Sequence, residues 1–118
     1  MRTRTLLMSL DNAWRGLREA IATQPNIRRH LAAGTIVLAT AMSVHLGRLE
    51  CALLVLTIML VLMAELLNTA IEVFIDRLSP AKREDARMVK DMAAAAVLVC
   101  AIGAVVIGLL VFLPRLTP

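Results

Sequence analysis

The chain has 118 residues, of which 59% are hydrophobic, 3% aromatic and 19% charged, with a formal net charge of +4 and a mean hydropathy of +0.78. So high an apolar content excludes disorder and argues against an ordinary soluble domain. The basic residues flank apolar runs and no reader motif accompanies them, so the pI near 10.0 points to a membrane-facing collar and away from nucleic acid.

In chain order, residues 5–22 come first. Apolar positions recur at Leu6, Leu10, Ala13, Trp14, Leu17, Ala20 and Ile21 among polar ones such as Asp11, Arg15, Arg18 and Glu19. That spacing predicts an amphipathic helix, slightly weakened by Gly16. Arginines on one face and a lone Trp on the other suit a helix lying on the cytoplasmic membrane surface. Packing of the same face on the protein's own bundle is equally compatible. Pro25 then disfavours helix at Gln24 and suits a first helical turn, so a first span is expected at 26–46. Its apolar part, 31–46, is short and diluted by Thr35, Thr40, Ser43 and His45.

A brief outer turn containing Gly47 leads to a second span at 50–76. A polar connection follows at 77–89, where Ser79 is expected to cap a short helix starting at Pro80. The third span is expected at 90–113. Within it, residues 92–113 carry no charge over 22 positions, enough to cross about 30 Å of hydrocarbon. The predicted fold is an all-α integral membrane protein, one membrane domain over 1–118, with three transmembrane helices preceded by an amphipathic surface helix. No cleavable signal peptide is evident.

Eleven of the thirteen Arg and Lys residues lie before Leu31 or between Ile75 and Met92, leaving Arg48 and Arg115 for the other side. The asymmetry predicts a multi-pass protein of the bacterial inner membrane with a cytoplasmic N-terminus and an outer C-terminus. Cys51 and Cys100 lack metal or redox spacing and read as packing residues. His30 and His45, near opposite ends of the first span, read as interfacial polar residues, and Arg28 and Arg29 as positive-inside anchors.

The informative feature is a polar stripe inside the second span. Glu65, Asn68 and Glu72, followed by Asp76, fall within an arc of about 80° on a helix. Carboxylates in hydrocarbon are costly and persist where they face a partner or do chemistry. Three spans give such a stripe little shelter, so a homo-oligomer or another protein is expected to cover it. Oxygen ligands for Mg²⁺, a carboxylate able to take a hydroxyl proton, and the Lys90-Asp91 pair at the next span's start suit phosphoryl transfer at a membrane surface. No Walker glycine loop is present. Interhelical hydrogen bonding, a lost or accessory function, and a cation path through a small oligomer are the rival uses of the stripe.

The run Glu65-Leu66-Leu67-Asn68-Thr69-Ala70-Ile71-Glu72, followed by Asp76 and by Lys90-Asp91-Met92-Ala93-Ala94-Ala95-Ala96-Val97-Leu98, resembles the signature of the small prokaryotic diacylglycerol kinases, a family that includes the undecaprenol kinases. Ala13-Trp14-Arg15-Gly16-Leu17 and Asn26-Ile27-Arg28-Arg29-His30 resemble its surface-helix and first-span segments. The resemblance implies a homotrimer with active sites between protomers that uses MgATP to phosphorylate a membrane lipid hydroxyl, most simply that of diacylglycerol, with undecaprenol as the alternative. It makes Glu65 the general base and Glu72 a metal ligand. Asn68, Asp76, Lys90 and Asp91 are matched to the nucleotide end of the site, together with Trp14. The second metal position, a glutamate in most of the family, is Gln24 here, a neutral oxygen donor. Residues 80–89 lack the aromatic-His pair and the glycine often found in that segment.

Overall fold

A computed structural model describes residues 5–78 and 83–116, and the described residues are helical with no strand among them. The helices are α1 (Leu6–Thr23), α2 (Pro25–Ser43), α3 (Arg48–Leu78) and α4 (Arg83–Leu116). Thr5 starts α1, its side chain accepting the Met8 N–H at 3.2 Å as an N-cap does. The apolar side chains Leu6, Leu7, Leu10 and Trp14 stay exposed, and within α1 only Ala20 is buried. The α1 apolar face is therefore not spent on this chain's own core.

Between α1 and α2 the backbone at Gln24 is extended (φ −114°, ψ 106°), and Pro25 opens α2. Proline forces this break because it disfavours helix at the residue before it while fitting the first turn after it. The Arg28 guanidinium reaches back to the end of α1, donating to the carbonyls of Ile21 at 2.7 Å and Ala22 at 3.1 Å. It thereby satisfies carbonyls that a helix end leaves without partners.

At the far end of α2, His45 adopts φ 55°. The N–H of His45 donates to Met42 O at 3.2 Å and that of Leu46 to Ala41 O at 3.1 Å, the two bonds of a Schellman cap with histidine where glycine is usual. Gly47, which lies in this turn as expected, has no positive φ. Instead Gly47 precedes α3, and its N–H is taken by the Glu50 carboxylate at 3.1 Å.

α3 and α4 are both long and apolar enough to cross a membrane. α2 falls short of that measure, because Arg28, Arg29 and His30 occupy its first turns and the uncharged remainder, 31–43, spans only about 20 Å. α3 packs against both α2 and α4. Gly34 of α2 lies hard against α3: a β-carbon there would sit 2.8 Å from Ile58 Cγ2, so glycine sets the close approach of the two helices. The buried cluster Ala41, Leu54 and Val111, flanked by Val37, Cys51 and Phe112, ties α2, α3 and α4 at the end bearing the 44–47 turn. Beside it Arg115 donates to Glu50 at 2.8 Å.

Residues 83–89, expected as a short separate helix within the polar connection, are the opening turns of α4 and run into it without a break. Glu84 and Asp85 fall in the first turn, where acidic groups complement the helix dipole. Arg87 donates to Glu84 at 2.6 Å and to Asp91 at 2.6 Å, the i−3 and i+4 pairs that support a helix. The Ser79 cap lies outside the described residues.

Candidate active site

The α-helical period of α3 turns the sequence stripe into a gradient of burial. Glu65 is 4% exposed and Asn68 9%, Glu72 is half-buried and Asp76 is exposed. The stripe thus descends from the helix interior of the bundle to solvent over three turns. A buried carboxylate requires a partner, and His30 of α2 supplies it: His30 Nε2 lies 3.8 Å from Glu65 Oε2. Asn68 Oδ1 is buried, and no hydrogen-bond donor among the described residues reaches it. An orphaned acceptor of this kind calls for an explanation.

At the open end of the stripe Lys90 of α4 donates to Asp76 of α3, closing the two helices over the site. Lys90 is one turn from Arg87, whose guanidinium donates to both Glu84 and Asp91. Asp91 therefore faces its own helix through Arg87. Glu72 makes neither an ion pair nor a side-chain hydrogen bond among the described residues. Gln24 lines a groove between α1 and α3 together with Glu19, Thr23, Thr69 and Phe74. Trp14 is 59% exposed near the middle of α1.

The fold thus brings Asp76 to Lys90 and keeps Glu65, Asn68 and Glu72 on one helix. Within one chain no group of three or more His, Cys, Asp or Glu side chains among the described residues is placed to hold a metal. The donor chemistry nonetheless suits Mg²⁺, which takes one or two carboxylates and completes its oxygen shell with phosphates and water. Glu72 offers such a carboxylate and Gln24 a neutral oxygen. His30, read from sequence as an interfacial polar residue, meets Glu65, and Arg28, read as a positive-inside anchor, caps α1. The signal for His30 was its place one turn after Asn26, on a helix whose partner carried the stripe.

The residue pattern that defines prokaryotic diacylglycerol kinases matches residues 11–112 of this chain. The chain is 44% identical to a diacylglycerol kinase of Synechocystis sp. over 94% of its own length and 64% of that protein's, so it spans less than two thirds of that relative. It is 40% identical to an undecaprenol kinase of Bacillus subtilis, covering 92% of this chain and 88% of the relative. Against a diacylglycerol kinase of Escherichia coli K12 the identity is 34%, over 86% of this chain and 83% of the other. The match over residues 11–112, together with relatives 40% and 34% identical that are covered over more than four fifths of their length, places this protein in the prokaryotic diacylglycerol kinase family.

Proposed function

We propose that this protein is a membrane lipid kinase that transfers the γ-phosphoryl group of ATP to the hydroxyl of diacylglycerol, giving phosphatidic acid. The observation that carries the reading is the burial gradient on α3. A sheltered carboxylate, Glu65, stands at its deep end, and the Asp76–Lys90 pair stands at its exposed end. A base that meets a lipid hydroxyl belongs at depth, whereas groups that meet a nucleotide belong at the aqueous mouth. Undecaprenol is the second substrate reading, favoured by the B. subtilis relative of that name.

In this mechanism Glu65 takes the hydroxyl proton as the lipid oxygen attacks phosphorus. Lys90 exchanges Asp76 for a phosphate oxygen, and Asp91, held by Arg87, orients the nucleotide with Asn68, Asp76 and Trp14. Glu72 and Gln24 would hold Mg²⁺, which when bound neutralises phosphate charge. Positioning and charge neutralisation supply most of the acceleration in phosphoryl transfer. In this reading the chain lies in a bacterial inner membrane with α3 and α4 as full-length spans, the shorter α2 as the third and sheltered against α3, α1 on the cytoplasmic surface and the N-terminus inside. The exposed apolar face of α1 supports that placement. A homotrimer with sites between protomers would shelter Glu72 and bring a second chain's groups to it.

The test is transfer of label from γ-labelled ATP, with Mg²⁺, in mixed micelles containing diacylglycerol, monoacylglycerol, ceramide or undecaprenol. Labelled phosphatidic acid is the expected product. Label in undecaprenol alone selects the second substrate, and label in no lipid overturns the kinase reading.

A further inference from the structure

A base that removes a proton at every turnover must also give it up, and the Glu65 side chain is only 5% exposed. His30 is the side chain that α2 brings to it, with Nε2 3.8 Å from Oε2 and its own side chain 31% exposed. The separation exceeds a hydrogen bond, so a proton transfer between them requires the imidazole to approach the carboxylate. His30 stands about 7.5 Å along α2 from Pro25, beside the interfacial pair Arg28 and Arg29. It also lines the apolar groove between α2, α3 and α4. The other polar side chain lining that groove, Thr57, is committed to the Leu53 carbonyl at 2.7 Å.

The other charged groups on the surrounding helices are engaged elsewhere or stand apart. Arg28 holds the end of α1, Arg29 donates to Asn26, Lys90 to Asp76, and Arg87 to Asp91. Glu19 lines the groove between α1 and α3, and Glu72 lies two turns beyond Glu65 on the same helix. Between buried Glu65 and water, His30 is the titratable side chain in reach.

We propose that His30 is a positioning residue that orients the Glu65 carboxylate and relays its proton to solvent. The inference rests on the reading of Glu65 as the base. The lipid O–H proton passes to a Glu65 oxygen as the new O–P bond forms and ADP departs. Glu65 then hands that proton to the lone pair on neutral His30 Nε2, and the imidazolium releases a proton from Nδ1 to water. Exchange with solvent returns the ring to its starting tautomer, so carboxylate and neutral imidazole are both restored.

The experiment compares the full-length wild type with His30→Ala and His30→Gln on the lipid that the wild type phosphorylates, with and without free imidazole in the buffer. Both variants are expected to lose about 10- to 100-fold in kcat with KM for ATP little changed. Added imidazole restores part of the His30→Ala rate and leaves the wild-type rate unchanged. Wild-type kcat in His30→Gln overturns the relay, since glutamine keeps bulk and hydrogen bonding but carries no proton. A His30→Ala loss that imidazole does not relieve overturns it as well. A readout independent of turnover uses the ring resonances of His30 in a His45→Asn background. They should move on Glu65→Gln, and unmoved resonances refute the pairing. A wild type that labels no lipid overturns the kinase reading itself, which separates the two failures.

Discussion

The two ends of α3 are built on opposite terms. At the end bearing the 44–47 turn, polar groups are spent locally: Glu50 closes Gly47 and Arg115, a Schellman cap closes α2, and Ala41, Leu54 and Val111 pack between three helices. At the other end, the same helix buries Glu65 beside an imidazole at ion-pair distance and leaves Asn68 Oδ1 without a donor among the described residues. One end satisfies its groups and stabilises the fold. The other holds groups in costly positions, as sites that do chemistry commonly do.

The largest expected effect falls at the costly end. Glu65→Gln keeps the shape of the side chain and removes the base, so turnover should drop by at least about a hundredfold. Nucleotide affinity, from titration with a non-hydrolysable analogue, should stay within a few fold. Near wild-type turnover in this variant would mean that the buried carboxylate is a structural group and that the contrast between the ends is not functional.

Next in size is the α2–α3 seam. Gly34→Val places a branched side chain against Ile58 and should cost about 1–3 kcal/mol, read as a lowered thermal unfolding midpoint in detergent. Ile58→Ala in the same chain should relieve part of that loss, because the clash is with the Ile58 side chain. Strict additivity of the two changes would show that the helices are not in contact there.

A smaller effect of opposite sign is expected at Asn68. Replacing a buried, unsatisfied amide by an apolar group of similar size, Asn68→Leu, should raise stability by roughly 1 kcal/mol while lowering activity. Loss of both stability and activity would show that Asn68 is bonded in the native protein and would erase its difference from the satisfied end.

The smallest change belongs to the turn after α2. His45→Gly relieves a non-glycine residue of a left-handed backbone and should stabilise by about 1 kcal/mol. Turnover should be unaltered. Destabilisation in an unfolding titration would mean that the imidazole, not the backbone, holds that cap.

The helices were legible because apolar spacing and proline act locally. Pro25 announces the α1–α2 break, and the positions of Glu65, Asn68, Glu72 and Asp76 predict a common face. Less legible was the start of α4. A short helix from Pro80 was expected inside a polar connection at 77–89, but the pairs of Arg87 with Glu84 and Asp91 belong to a helix that runs unbroken from residue 83 into the third span. The turn containing Gly47 is present where expected, but its left-handed position falls on His45, because glycine permits such a backbone without requiring it.

By itself the sequence determined which faces of each helix are polar, since a period of 3.6 residues follows from the backbone alone. It also carried the signature by which the family is recognised. Tertiary structure decided which faces meet. Nothing local in α2 brings His30 to Glu65, and nothing in α4 chooses Asp76 for Lys90 or Glu50 for Arg115. Those pairings depend on the crossing and register of packed helices, set by close approaches such as Gly34 on Ile58, and registers of that kind exist only once the helices are in contact.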